Sequence, residues 1–307
     1  MKQKILILGG SSLVSVNIAF FFRKKFNLFL ACNTKKPKIT HSNNFFTKFN
    51  YKDLNFFITK IKPEIVIISS ANTNIENCEK NKKKTLILNF ELVKIVSKLS
   101  KIHKFKVIFF STDQVYESKE YLSNESSGIK ALNYYSKSKI LAENYIKKNL
   151  QNYLILRTNF FGYGPNYRKS FSDLIIENSN KKLLKYYFVD NKFSSIYLPY
   201  LIRSLEKLIR KKASGVYNLC SPNYLSKYEF AIEMSKRFNL NINYIKKGYL
   251  KNAKLIKRPL NMSMSNKKLE KKINFKIPKI QFQISLMKKD YNKEYFLFMK
   301  NLKVIRK

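Results

Sequence analysis

Tryptophan is absent from this chain of 307 residues, histidine occurs twice and cysteine three times. Each scarcity removes a class of chemistry. His41, after a Lys-rich turn, and His103, just before an apolar run, leave almost nothing for histidine triads or histidine-rich metal centres. Both read as loop residues. Cys32, Cys78 and Cys220 share no close spacing, so they make neither a zinc pattern nor a disulfide framework and read as reduced, packed thiols. No apolar stretch approaches the ~20 residues of a membrane helix. The first such run, Ile5 to Leu8, stops at Gly9 and reads as a strand, not as a signal peptide. The expectation is a cytoplasmic protein with no membrane span.

Acidic residues are also scarce: 19 stand against 61 basic ones, for a formal charge of +42. A charge of that size suggests nucleic acid or an anionic membrane as partner. However, the lysines are spread along the whole chain and travel with an excess of Asn, Ile, Phe and Tyr, which points to compositional drift of a proteome. No isolated basic tail and no nucleic-acid motif is present. Weak, salt-sensitive adhesion to polyanions is expected, and specific nucleic-acid binding is not.

What is there is an alternation. Apolar runs at Ile5–Leu8, Leu28–Cys32, Ile65–Ser69, Lys106–Ser111 and Tyr153–Arg157 read as strands. Between them Leu13–Lys25, Tyr51–Lys60, Leu86–Lys101 and Tyr134–Lys148 read as helices. In "IKPEIVIISS" Pro63 stops a helix and a continuous apolar run follows, the mark of a buried central strand. The pattern predicts an α/β fold: a Rossmann-type, doubly wound parallel sheet with right-handed crossovers and a smaller C-terminal α/β lobe. After Gly164-Pro165 the texture becomes irregular, except for "SSIYLPYLIRSLEKLIRKK" and "GVYNLCS", which read as a further helix and strand. Residues 1–165 and 186–222 are therefore assigned to a nucleotide-binding domain, and 166–185 and 223–307 to a substrate lobe.

The chemistry concentrates in three places. The opening "KILILGGSSLVSV" is a strand, a glycine turn and a helix. Gly9 stands where a dinucleotide fingerprint has its first glycine, while Ser12 and Ser15 occupy the second and third places. Gly10 is an extra permissive residue. The helix N-terminus, starting at Leu13, keeps its free N–H groups for a pyrophosphate. The turn reads as altered but usable; the competing reading is a scaffold that no longer holds cofactor. Next, "FFSTDQVYES" delivers Ser111, Thr112 and Asp113 at the carboxyl end of a strand, where open parallel sheets bind ligands. Finally, "NYYSKSKILAENYI" sets Tyr135 and Lys139 on one helix face. A phenol beside an ammonium suits acid–base work, because the ammonium favours phenolate.

These segments resemble the extended short-chain dehydrogenase/reductases, and within them the dTDP-4-dehydrorhamnose reductase family. "PEIVIISSANTNIENCE" is similar to that family's strand followed by Ala-Ala-x-Thr-x-Val-Asp-x-x-Glu, "FFSTDQVYE" to its Ser-Thr-Asp-x-Val strand end and "NYYSKSKILAE" to its Tyr-Gly-x-x-Lys-x-x-x-Glu helix. "LILRTNFFGYG" and "KRPLNMSMSNKKL" are similar to its Leu-Arg-Thr and Arg-Pro-x-Asn segments. The resemblance implies reduction of the 4-keto group of a nucleotide-linked deoxysugar in surface-polysaccharide biosynthesis, with Thr112, Tyr135 and Lys139 catalytic. Thr112 and Asp113 would also meet substrate, and Arg258 its diphosphate. Sugar-nucleotide dehydratases carry Asp-Glu after the threonine; Asp113-Gln114 offers a neutral amide instead.

For the cofactor, the resemblance adds Ser69, Ser70 and Ala71 beneath pyrophosphate and ribose, and Asp53-Leu54 at the adenine; Asp53 also reads as a helix cap. Where NAD sites place an acid, this chain has Asn33, Thr34, Lys35 and Lys36, which favours NADPH with NADH as the alternative. Asn89 stands where the superfamily has a helix asparagine that orders the active site; a surface asparagine is the other reading. Cys78 and Cys220 read as packing residues. A homodimer is compatible with this reading and nothing in the sequence fixes it. The competing functions are a non-catalytic subunit on the same fold, as in the methionine adenosyltransferase β subunit, a nucleotide-sugar epimerase or dehydratase, and a polyanion-binding basic protein.

Overall fold

The computed structural model describes residues 2–117 and 119–307; Met1 and Ser118, which closes the quoted strand-end segment, lie outside the described residues. The first half runs β1 (Lys4–Leu8), α1 (Leu13–Phe22), β2 (Asn27–Cys32), β3 (Lys35–Pro37), β4 (Ser42–Phe46), α2 (Tyr51–Ile61) and β5 (Ile65–Ile68). Then come α3 (Ile75–Lys80), α4 (Lys82–Leu86), a π-helical turn (Ile87–Glu91), α5 (Leu92–His103), β6 (Lys106–Phe110), α6 (Tyr134–Asn149) and β7 (Tyr153–Thr158). The second half holds β8 (Phe160–Phe161), α7 (Phe171–Asn180), β9 (Lys185–Phe188), β10 (Lys192–Phe193), β11 (Ile196–Tyr197), α8 (Leu198–Arg210) and β12 (Gly215–Leu219). It ends with β13 (Leu225–Ser226), α9 (Lys227–Phe238), β14 (Ile245–Gly248), β15 (Asn261–Met262), α10 (Lys267–Ile273), α11 (Ile280–Asp290), α12 (Glu294–Lys300) and β16 (Val304–Arg306).

Seven strands form one parallel sheet in the order β12-β7-β6-β5-β1-β2-β4. Strand order reverses between β1 and β5, so the crevice for a ligand opens beyond their carboxyl ends. Alternate residues of each central strand feed two apolar cores, one per face: Ile5 and Ile7 pack on the side of α1 and α8, and Leu6 and Leu8 on the side of α2 and α5. Among the described residues no helix is long and apolar enough to cross a membrane. A three-stranded sheet, β13-β10-β15, and the pair β14-β9 lie outside the main sheet with α7, α9 and α11.

The five expected strands and the four expected helical regions are present, with local differences. Strand β4 reads "SNNFF" and has no apolar run because it is the sheet's edge, with little of it buried. The expected helix Leu86–Lys101 is interrupted by the π turn. His103 is the last helical residue of α5 and its Nε2 meets Asn55 Oδ1 at 2.9 Å, so it is not in a loop. Gly10 is not a spare flexible residue: a Cβ there would lie 2.7 Å from Leu30 Cβ and 2.9 Å from Cys32 Sγ. Its role is to let the turn lie flat on β2.

A buried ion pair ties α6 to the sheet. Arg157 on β7 grips Glu143 on α6 through Nε at 3.1 Å and Nη2 at 2.7 Å, and both side chains are buried. Ser111 Oγ adds a 2.6 Å bond to the same carboxylate. Arg157 Nη1 donates to the Tyr116 hydroxyl at 3.0 Å, and that hydroxyl donates to Asn218 Oδ1 at 2.6 Å. Burial alone would raise the Glu143 pKa; the Arg157 hydrogen bonds and charge, with Ser111, hold it below the ordinary glutamate value.

Two substitutions test these supports by urea denaturation. Glu143→Gln leaves the guanidinium buried without its charge partner and is expected to cost about 3–5 kcal/mol. Gly10→Ala is expected to cost about 1–3 kcal/mol through crowding against β2. An unchanged midpoint in either variant would contradict the corresponding packing.

Candidate active site

The glycine turn is built for close approach. Gly9 has φ +92°, and a Cβ there would lie 2.7 Å from the Ser70 backbone nitrogen. Gly9 and Gly10 N–H both donate to Ala31 O, at 3.0 and 2.9 Å, which pins the turn to β2. Ser12 then caps α1, its Oγ accepting from Ser15 N at 3.2 Å. The two serines that stand in glycine places are not loose. Ser15 Oγ meets Ser69 Oγ at 2.5 Å, and Ser12 Oγ lies 2.9 Å from Ser15 Oγ and 3.2 Å from Ser69 Oγ. Ser69 Oγ is also within 2.9 Å of Leu8 O. The hydroxyls added by the lost glycines are thus paired with a third serine at the end of β5. The Ser12 hydroxyl serves the cap and this cluster; it takes the Ser15 N–H, and the N–H groups of Leu13 and Val14 remain at the head of α1 as anion donors.

A cavity of about 240 Å³ opens at this turn, lined by residues that include Ser12, Leu13, Ser69, Ala71, Arg168 and Lys169. Arg168 and Lys169 escaped the sequence reading, although "YRKS" places them just before the capping box of Ser170 and Asp173. A φ-strained glycine, a helix N-terminus and two cations at one cavity fit an anionic dinucleotide. Asn33 is exposed just past β2, and the Lys35 ammonium sits 5.2 Å from the Tyr167 ring centre. Tyr167 in turn donates to Ser11 O at 3.2 Å, so Lys35 reaches toward the turn. Lys36 lies instead over Phe46. Ser70 N donates to Leu8 O at 3.0 Å. Asp53 and Leu54 do not line the cavity. Asp53 accepts from Lys48 N at 3.0 Å within the cap of α2, and Leu54 is buried in the core.

The strip after β5 leads from the serine cluster to α6. Asn89, buried within the π turn, accepts from Asn72 N at 2.8 Å and donates to Ser138 Oγ at 3.0 Å. Of the two readings of Asn89, the surface one is wrong. Ser138 stands between Tyr135 and Lys139, and a capping box at Asn133 fixes the start of their helix. Tyr135 packs with Ile75 and Cys78 and lies beside Thr112. Thr112 Oγ1 donates to Asp113 Oδ1 at 3.0 Å. Asp113 Oδ2 accepts from Asn159 Nδ2 at 2.8 Å and faces the Lys227 charge.

The electrostatics correct one expectation. Lys139 does not lower the Tyr135 pKa here. Its Nζ donates to Phe110 O at 2.6 Å and lies 4.2 Å from the Phe109 ring centre. Burial pushes the phenol well above its ordinary value, so it stays protonated at neutral pH. Burial also draws Lys139 down to about 7, against the pull of Glu143. Lys227 falls to about 8 for the same reason, opposed by Asp113. Burial raises Asp113, opposed by Asn159, Lys227 and Thr112. Arg258 donates to Ile256 O at 3.2 Å and pairs with Glu76. Its neighbour Lys257 accepts through its carbonyl from Asn133 Nδ2 at 3.0 Å, which brings that strip to the head of α6. Cys78 and Cys220 are buried, as expected of packing residues, and no cluster of three metal-ligating side chains occurs among the described residues.

Comparison with known proteins places the chain in a family. The family model described as the RmlD substrate binding domain matches residues 3–293. A dTDP-4-dehydrorhamnose reductase of Salmonella typhimurium is 26% identical over 148 residues, 47% of this chain and only 50% of that protein's length. A Shigella flexneri protein of the same name is 20% identical over 242 residues, 75% of this chain and 80% of its own. Among solved structures, the dTDP-4-dehydrorhamnose reductase of Bacillus anthracis in complex with NADP superposes with a TM-score of 0.83 at 19% identity, covering 94% of this chain and 99% of that one.

The two depressed lysines make stability depend on pH. Between about 7 and the ordinary lysine value the unfolded chain binds protons that folded Lys139 does not, so stability is expected to rise with pH across that window and to be lost as pH falls through about 7. Lys139→Met should flatten that rise, leaving the part due to Lys227. Urea midpoints from pH 6 to 10 check this; parallel curves for parent and variant would show that Lys139 is charged throughout.

Proposed function

The chain belongs to the RmlD substrate binding domain family, and from that premise we propose that it is an NADPH-dependent reductase of the 4-keto group of a nucleotide-linked deoxysugar, as the dTDP-4-dehydrorhamnose reductases it resembles are named. One observation carries the reading: Tyr135, buried and kept protonated by that burial, lies beside Thr112 at the carboxyl end of β6, next to the switch point of the sheet. In this reading Leu13 and its neighbours at the head of α1 take the pyrophosphate, with Arg168 and Lys169 across the cavity. Lys35 takes the 2′-phosphate, and Lys139, which has donors to spare beyond Phe110 O, takes a ribose hydroxyl. The bound cofactor supplies the hydride. Thr112 orients the carbonyl oxygen, and Tyr135 gives that oxygen its proton. Burial keeps the phenol in its protonated form, the form a proton donor needs.

The substrate's diphosphate suits Arg258, whose guanidinium exchanges Glu76 for two phosphate oxygens. Simple reduction is favoured over dehydration because the Gln114 side chain is a neutral amide, which cannot act as the dehydration base. A dehydration base has no other candidate in that position.

The test is NADPH consumption with dTDP-4-dehydrorhamnose, in parent and in Tyr135→Phe. The variant is expected to bind NADPH as the parent does and to lose at least ~10²–10⁴-fold in turnover. Tight binding of NADPH by the parent without turnover would favour the non-catalytic subunit, and full turnover by Tyr135→Phe would overturn the mechanism.

A further inference from the structure

We infer that Arg306, carried on a strand from far along the sequence, completes with Lys35 the site for the cofactor's 2′-phosphate; this rests on the reductase reading above. Strand β16 pairs antiparallel with β3, setting Arg306 opposite Lys35, Ile305 opposite Lys36 and Val304 opposite Pro37. Main-chain bonds extend the pairing at both ends, from Lys38 N to Lys303 O at 2.8 Å and from Lys307 N to Thr34 O at 3.1 Å. Directly opposed residues in an antiparallel pair project to the same face, with Cβ atoms ~4.5–5.5 Å apart. The face shared by Arg306 and Lys35 is the one turned to the glycine turn, because the Lys35 ammonium lies over Tyr167 and Tyr167 bonds Ser11. The other face carries Ile305 and Lys36, which lies over Phe46.

This juxtaposition is costly by itself. Like charges directly opposed across a strand pair repel. Neither Asn33–Lys38 nor Lys303–Lys307 contains an acid to relieve them. The backbone ladder, not attraction between the side chains, imposes the contact. A phosphate monoester carrying close to two negative charges, set between ammonium and guanidinium, converts that repulsion into two charge-assisted contacts. The position is just past β2, where adenosine ribose hydroxyls are read in this type of sheet. The 2′-phosphate is the anion that a dinucleotide brings to that place. NADH has none, so the arrangement selects between the two cofactors. It also couples strand pairing to cofactor choice: NADPH adds to the backbone ladder's hold on β16, and NADH does not.

Calorimetric titration of parent, Arg306→Ala and Arg306→Lys with NADPH and NADH, together with hydrogen exchange at residues 304–306, tests this. Arg306 is exposed, so the variants fold. Arg306→Ala is expected to weaken NADPH by about tenfold or more with NADH unchanged, and Arg306→Lys to recover part of the loss. Exchange at 304–306 should slow with NADPH or adenosine 2′-monophosphate, but not with NADH or adenosine 5′-monophosphate. Equal losses for both cofactors, or none, would overturn the role of Arg306 while leaving the reductase reading intact. Failure of the parent to bind either dinucleotide would remove both.

Discussion

The buried pair of Glu143 and Arg157 is the constraint on which the geometry of the candidate site hangs. Glu143 lies on α6 one turn past Lys139 and two turns past Tyr135, so the carboxylate that Arg157 grips belongs to the same helix face as those two side chains. Ser111, which bonds that carboxylate, is the residue immediately before Thr112. Two parts of the site, the strand end and the helix, are therefore fastened to one charge pair beneath them. A single, bidentate geometry fixes both the rotation of α6 and its height on the sheet. Tyr116 and Asn218 carry the bonding on to β12 and the segment around Ser123. Nothing in this network touches a reacting atom. It acts by leaving Tyr135 and Thr112 one place to be.

How far the sequence told this is uneven, and the reasons are physical. Central strands are buried on both faces, so β1, β5 and β6 appear as unbroken apolar runs, and helices between them complete the sheet's signature. The edge strand β4 needs only one covered face and so shows no run. The placement of Tyr135 and Lys139 on one helix and of Thr112 just past a strand end was legible from order and spacing, and so was the glycine turn. Pairing across the chain was not. "LAE" and "LRT" were both visible as segments, but that Glu143 and Arg157 meet needs the register of α6 on β7. Arg168 and Lys169 sat in a stretch whose cations are indistinguishable from the others in a chain of 61 basic residues. The missed partner of Lys35 lies 271 positions away, joined by a three-residue ladder with no hydrophobic pattern. The depressed pKa of Lys139 is a matter of burial, which spacing does not report.

The high positive charge is arranged so that few cations are buried. Of those that are, Lys139, Arg157 and the ammonium of Lys227 sit around the site, while Lys106, at the start of β6, is held by Ala213 O at the far end of the sheet. Lys227 lies 3.4 Å from the Phe193 ring centre and 4.6 Å from that of Phe171, so aromatic faces take part of the place of water there. Most other lysines are solvated. The basic composition is thus largely a surface property, and the candidate site has three positive charges held out of water, each against an acid or a ring.

The three-serine cluster has a consequence for the chain's history. Ser12, Ser15 and Ser69 satisfy one another, so changing any one of them back toward glycine or alanine withdraws a partner from two others. The path from this turn to the common three-glycine form runs through intermediates that are each worse bonded than either end. The serine form is held by local self-consistency, whether or not glycine would serve a bound dinucleotide better. The turn is in that sense entrenched: its departure from the usual pattern is a stable solution of its own, and not a stage of decay.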